Sequence, residues 1–436
     1  MNTTMPVETG KLRILQVHES YSLGWGGEDT VVELERRLLE ERGHAVEQVR
    51  TSHGELRHAG PLRQLLEAPG FLWSRSSYRA LARKIAEFAP DVVHVHNTFP
   101  QLSPSVFWAA HRAGVPVVHT LHNFRHVCAN SLLLRDERPC HDCVGRTPWP
   151  AVRYGCYAQS RARTAAIAAT NFLHAKLGLW RRVDAYIALN EFSREVFRSA
   201  NFPEARLFVK ANFVPLATVA AAPRKNQAVF VGSISRSKGV PLLLGAWSKS
   251  ALAPAKLLLI GDGLDREALA SKYANRADVE WCGSLARAEV LDRIAASTIL
   301  VFPSLAYENC PMAVLEALSV GTPVVTADHP SLQTIVRHQR EGLLFRAGSA
   351  ASLASALETA LHAPAEDWLL WSNAARQAHA ERYSEAANYP QLIAIYRAAI
   401  EGRAAHAAGG WSASPEILRQ PSEPALLIPG PEFRKR

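Results

Sequence analysis

The chain has 436 residues, 48% of them apolar, enough for two or three domains with sizeable cores, so disorder is expected only at the ends. It carries a net charge of +9, and residues 1–215 hold most of it, with 27 Lys+Arg against 20 Asp+Glu. No window of about 20 apolar residues occurs and the N-terminus lacks a basic-then-apolar leader layout, which excludes a membrane-spanning reading and points to a cytoplasmic protein.

Short β-branched runs alternate with helical patterns along most of the chain. LRILQV (12–17) precedes the amphipathic stretch TVVELERRLLEERGH, which Gly43 is placed to stop. DVVHVHN (91–97) and GVPVVHTLH (114–122) are the next expected strands, followed after a basic helical region by VDAYIALN (183–190) and RLFVKANF (206–213). Residues 214–227 interrupt the rhythm with prolines, small residues and charges and read as a linker. Alternation restarts with AVFVGSI (228–234), KLLLIG (256–261), VEWCG (279–283), TILVFPS (298–304) and PVVTA (323–327). This pattern predicts an α/β protein of two doubly wound, Rossmann-like domains, residues 1–213 and 228–385, facing across a cleft. Residues 386–402 are expected to form a helix packing back toward the first domain, and 403–436, rich in Pro, Ala and Gly, a disordered tail.

Ligands bind beyond the carboxyl ends of strands in such sheets, and polar residues gather there. After the first strand comes GWGGED, where Gly24, Gly26 and Gly27 open a helix; it is either an anion-approach turn or an ordinary tight turn. The next strands end in His96, Asn97 and His122. In the second half, SRSKG places Arg236 and Lys238 at a loop tip, KLLLIG runs into Asp262 and Gly263, and TILVFPS runs into YENCPMAVLE (307–316). Pro311 suits the first turn of a helix because it has no N–H to leave orphaned. Glu308 then lies in the preceding loop and Glu316 in the second turn. Free N–H groups at that helix start hold phosphate, and carboxylates accept from hydroxyls, which together describe a nucleotide sugar. Glu308 as a mere helix cap is the competing reading.

The spacing of Glu308 and Glu316 resembles the E-x(7)-E motif of retaining family 4 glycosyltransferases of the GT-B fold. The likeness extends to GGEDTVVELERRLLEERGHAV, PDVVHVHN, VVHTLHNFRHVC, VFVGSISRSKGVPLLLGAW, LLLIGDG and PMAVLEALSVGTPVVTAD, in order over about residues 11–345. The resemblance implies metal-independent hexosyl-type transfer from a UDP-, GDP- or ADP-sugar, with the donor held by the C-terminal domain and a glycan or lipid-linked acceptor by the N-terminal one. It implies that Glu308 contacts the transferred sugar, Glu316 the ribose hydroxyls and Lys238 the diphosphate. The Gly26–Gly27 turn would approach that diphosphate from the other side and His122 would lie beside the reacting centre. Arg236, Asn309, Cys310 and Met312 complete the implied donor site. Ser233 stands where the family usually has arginine, and Arg236 is the candidate replacement; Pro311 stands where many members have glycine. The implied setting is cell-surface polysaccharide or glycolipid assembly. An epimerase on the same architecture and a non-catalytic sugar-nucleotide-binding scaffold are the alternatives.

Two features lie outside that motif set. Cys128, Cys140, Cys143 and Cys156 fall close together after His122, either as ligands of a structural zinc ion or as free thiols; no catalytic metal is expected, and Cys282 and Cys310 stand alone. Arg153, Arg161, Arg163, Arg181 and Arg182 flank or lie within a segment whose Phe172 and Trp180 are candidate interfacial anchors. That basic surface is either simply solvated or docks peripherally on anionic lipid at the inner face of the cell membrane, and residues 161–182 are correspondingly an interfacial helix or a core helix. Nucleic acid is not expected as a partner, since no binding module is recognisable.

Overall fold

The computed structural model describes residues 10–20, 26–52, 70, 72–217 and 224–407. Gly24, residues 218–223 of the expected linker and residues 408–436 of the expected tail lie outside them. Two six-stranded sheets, every pairing parallel, form the framework. The first contains β1 (Arg13–Ser20), β2 (Ala45–Ser52), β3 (Val92–Asn97), β4 (Val117–Leu121), β7 (Ala185–Ala188) and β8 (Leu207–Val209), in the order β2-β1-β3-β4-β7-β8. A two-stranded hairpin, β5 (Leu134–Arg135) and β6 (Arg138–Pro139), stands apart from it. The second contains β9 (Lys225–Val231), β10 (Lys256–Ile260), β11 (Val279–Gly283), β12 (Ser297–Phe302), β13 (Val324–Ala327) and β14 (Gly342–Phe345), in the order β11-β10-β9-β12-β13-β14. Both are doubly wound sheets, as the alternating pattern predicts.

The strands are buried along most of their length because helices cover both sheet faces, which is why they read as continuous apolar runs. Helix Gly27–Glu41 turns Val31, Val32, Leu34, Leu38 and Leu39 inward at helical spacing. Gly43, at φ +86°, stops it: its N–H bonds to Glu40 O and that of His44 to Leu39 O, satisfying two orphan carbonyls.

Besides the β5–β6 hairpin, two framework strands were not expected from the sequence. β2 alternates AVEQVRTS at the sheet edge, and β14 is only GLLF, too short for its periodicity to separate it from a loop. The final helix runs Glu385–Ala407, so residues 403–407, expected in a disordered tail, continue it. It packs on β3, β4, β7 and helix Gly27–Glu41. Tyr396 OH lies 2.8 Å from His94 Nδ1, and Arg403 Nη2 donates to His111 O at 2.9 Å. Residues expected as linker are partly built in: Val214 is buried, its N–H bonding Tyr383 O and its carbonyl meeting His379 Nε2, and residues 225–227 already belong to β9.

Candidate active site

Each sheet changes direction of growth once. In the second sheet the chain builds β9, β10 and β11 to one side, then crosses to β12 on the other, so the crevice opens between the ends of β9 and β12. Lys238 sits on the loop after β9 and Glu308 on the loop after β12, and they meet there, Nζ to Oε1 at 2.7 Å. Ser304 Oγ donates to the same Oε1 at 2.6 Å, leaving Oε2 without a bond from the described residues. The two loops are also joined by backbone, since Leu305 and Ala306 N–H groups bond Ser237 O. Gly239 makes this approach feasible: at φ +74° a Cβ would stand 1.9 Å from Pro303 O.

The helix after Glu308 begins at Met312, with Pro311 as its N-cap, one residue earlier than the first-turn position expected. The reason is Pro311's extended backbone (ψ 120°), which makes its carbonyl the first acceptor, for Val314 and Leu315. Met312 and Ala313 thus keep free N–H groups at the positive helix end. Glu316, in the second turn, is buried and accepts from Arg287 Nε at 3.1 Å. Burial raises its pKa, and Arg287 opposes the rise.

The other sheet supplies the facing wall. Gly26 caps helix Gly27–Glu41, its N–H donating to Asp29 Oδ2 at 3.1 Å. A Cβ on Gly27 would lie 3.6 Å from Met312 Cγ, so two helix N-termini, one from each half, stand in contact. Asp29 also receives His18 Nε2 at 2.9 Å and the Ser20 hydroxyl. Burial alone would raise its pKa, but these bonds hold the carboxyl below its ordinary value. The loop carrying Glu308 is pinned to this wall by Asn309 Nδ2 to Leu121 O (3.1 Å), Asn190 Nδ2 to Asn309 O, and Asn212 Nδ2 to Cys310 O (3.1 Å).

His122, at the end of β4, meets His96 Nδ1 through Nε2 at 3.0 Å with the rings stacked. Burial and neighbouring histidines push both pKa values well down, so the pair is neutral at physiological pH. Behind them His94, His96, Glu35 and Lys210 form a buried polar cluster in which Lys210 Nζ lies 2.9 Å from Glu35 Oε1.

The expected donor residues are unequal in placement. Gly26, Gly27, Lys238, Glu308, Asn309, Met312 and Glu316 gather at the junction. The Cys310 side chain is buried in the core, and only its carbonyl is engaged there, by Asn212. Arg236 turns its exposed guanidinium toward Glu137 of the β5–β6 turn, 3.5 Å away. Glu28 and Asn123 were not singled out from sequence: Asn123 Nδ2 donates to Glu28 Oε1 at 2.9 Å, and Glu28 Oε2 is buried without a partner. The only sequence signal for Glu28 is its place immediately after the glycine pair. Trp180, a candidate interfacial anchor with a core position as the alternative, is buried between His126 and Phe202, because the chain turns at Gly178 into a short 3-10 helix that feeds it to the core. Phe172, Leu173 and Leu177 remain exposed.

Residues 25–218 match the family described as Glycosyltransferase Family 4, and residues 225–363 that described as Glycosyl transferases group 1. The chain belongs to glycosyltransferase family 4, the retaining transferases of GT-B fold. Among relatives, a D-inositol 3-phosphate glycosyltransferase from Rhodococcus erythropolis is 29% identical over 336 residues, covering 73% of this chain and 70% of its own. Among solved structures, Anabaena Alr3699/HepE in complex with UDP and glucose superposes with TM-score 0.60 at 16% identity, covering 88% of this chain and 99% of that one. The lipopolysaccharide outer core galactosyltransferase WaaB gives 0.58 at 15%, covering 89% and 99%. These structural likenesses establish the GT-B fold of this glycosyltransferase. Among the described residues, no helix is long and apolar enough to cross a membrane.

Proposed function

We propose that this glycosyltransferase moves a sugar from a UDP-type donor to a hydroxyl of a glycan or lipid-linked acceptor, in assembly of a surface polysaccharide or glycolipid, with no divalent ion at the diphosphate. The observation that carries the reading is the Lys238–Glu308 pair, 2.7 Å apart between β9 and β12, beside two touching helix N-termini. The UDP base is favoured by HepE, which was solved with UDP and glucose.

In this reading the diphosphate lies beside the Gly27 and Met312 helix starts, against Lys238. As the bond from the anomeric carbon to the diphosphate oxygen breaks, Lys238 and the N–H groups of Met312 and Ala313 take up the developing charge. Glu308 Oε2 accepts from a hydroxyl of the transferred sugar, and Glu316 from the ribose. Neutral His122 contacts the sugar as a hydrogen-bonding group. Arg236, engaged by Glu137, serves the diphosphate only if that exposed ion pair opens, and such pairs contribute about 0–1 kcal/mol. A lipid-linked acceptor is supported by the exposed Phe172, Leu173 and Leu177, which share helix and turn with Arg161 and Arg163, a combination suited to peripheral docking on anionic lipid.

The test is transfer from UDP-, GDP- and ADP-sugars to a lipid extract in EDTA, with the product's anomeric configuration read by NMR. We expect turnover with UDP-sugar and a retained anomer. Loss of turnover in chelator, restored by magnesium or manganese, rejects the metal-free diphosphate site. An altered donor sugar formed without acceptor would identify an epimerase instead.

A further inference from the structure

Between β4 and helix Arg161–Lys176 the chain inserts residues 122–160, whose regular structure is only the β5–β6 hairpin and the short helix Trp149–Tyr154. Ser131, Leu133, Asp136, Glu137, Ala158 and Gln159 all adopt positive φ in it, conformations that non-glycine residues hold only when the surroundings over-determine them. Phe124, Val127, Leu133 and Val144 of the insert join the core of the first half, while the cluster around the cysteines is small: Ala129 and Ala151 with Ile167 of the following helix, and Cys143 and Cys156 packed against them.

The fold brings four separated cysteines of this segment to one place. Cys128, Cys140, Cys143 and Cys156 all line a single cavity of ≈ 20 Å³, shared with Asn130, Arg135 and Asp142. All four are free thiols. The Cys128 thiol donates to Asn130 Oδ1 at 3.0 Å. Arg135, paired with Asp142 at 2.7 Å, brings positive charge to the cavity wall.

The insert also reaches the donor half. Leu134 packs with Leu305 and Ala306, and the His141 ring lies 5.3 Å from that of Tyr307, the residue before Glu308. Glu137 meets Arg236. A competing metal site is ruled out on chemical grounds: Glu35, His94 and His96 have ligand atoms within 4.8 Å of one another, but the Lys210 ammonium already sits against Glu35.

We propose that Cys128, Cys140, Cys143 and Cys156 form a tetrathiolate site for a divalent cation of the zinc type, which fastens the insert against the Tyr307–Glu308 loop. On binding, four thiols release four protons and leave a doubly negative complex, with Arg135 at the cavity wall offsetting part of its charge. The sulfurs are not yet at ligand spacing; the ion draws them inward to Zn–S bonds of about 2.3 Å. Its role is structural, so it is separate from the metal-free diphosphate chemistry.

The experiment uses the full chain purified without chelator. Elemental analysis should find about one zinc per chain, as four-coordinate thiolate sites hold; Cys140→Ser/Cys143→Ser should lose it, and Cys282→Ser should keep it. Because the double variant could fail to fold, the wild-type protein supplies the second readout: cobalt substitution should give thiolate-to-cobalt charge-transfer and tetrahedral d–d absorption. Removing the metal should speed amide exchange both within residues 123–160 and at residues 303–308, a readout that needs no donor and so is independent of the transfer reaction. Metal-free wild-type protein that takes up no cobalt would overturn the site. So would a denatured, unreduced chain with only Cys282 and Cys310 reactive, which would mean two disulfides. Unchanged exchange at residues 303–308 after metal loss would overturn the fastening role.

Discussion

The two sheets share a doubly wound plan but treat the ends of their strands in opposite ways. In the second sheet the crevice between β9 and β12 holds Lys238 and Glu308, both partly accessible and each able to face a ligand. In the first, the corresponding crevice between β1 and β3 is filled by the protein itself. Glu19, fully buried at the end of β1, accepts the N–H groups of Gln101 and Leu102, and Asn97 Nδ2 donates to the Glu19 carbonyl at 2.8 Å. The lesson is that topology supplies a crevice and side-chain filling decides whether a ligand enters it. The first half makes its contribution one step away, through the Gly26–Gly27 helix start and the His96–His122 pair, and keeps its remaining polar groups as internal structure.

That contrast can be broken most severely at Lys210. It is 1% exposed and satisfied by Glu35 and Asn388. Lys210→Met leaves Glu35 buried without its counter-ion and should cost about 3–5 kcal/mol in urea denaturation. Adding Glu35→Leu should recover part of the loss, because the second change removes the stranded charge. A Lys210→Met protein as stable as wild type would show that the first half does not depend on its buried polar network.

The open crevice should behave differently. Glu308→Gln should lower turnover by about 10²–10³-fold, the scale of a lost polar contact at a reacting centre, with little change in donor affinity or thermal stability. Glu316→Ala should instead weaken donor binding by about tenfold, as for a contact made equally before and during reaction. Isothermal titration with donor, alongside initial rates, separates the two; equal effects of both variants on affinity would remove the distinct roles given to these glutamates.

A pH-dependent effect sharpens the contrast at Glu19. Burial raises its pKa to about 7, with the Leu102 and Gln101 N–H groups opposing the rise. A carboxyl whose folded pKa lies above its unfolded value makes the native state bind more protons between the two. Its contribution is therefore fully present below the unfolded value, near 4.5, and is lost as pH rises through about 7. Glu19→Gln should flatten this part of the stability profile, read as the difference in denaturation midpoint between variant and wild type at pH 5 and pH 8. A profile that keeps its slope in the variant would assign the pH dependence elsewhere.

The sequence alone determined what local pattern controls. Apolar runs identified ten of the framework strands, because strands covered on both faces carry a continuous signal, and Gly43 marked a helix end because a left-handed residue was needed there. The glutamate pair at 308 and 316 and the lysine at 238 were legible for a related reason: each follows a strong strand, where position in the chain already fixes position at the sheet edge. Tertiary structure alone decided the rest. Edge strand β2, half exposed, and the four-residue β14 carry no long apolar run of their own, and pairing with β1 and β13 fixes them as strands. The Gly27–Met312 contact joins residues 285 positions apart, and Trp180 is buried rather than exposed because a turn at Gly178 redirects it. The cysteines could be counted from sequence, but their convergence on one cavity depends on a loop path set by many weak contacts. Spacing along a chain gives the reach of a side chain, and only the folded path decides which reachable partner it meets.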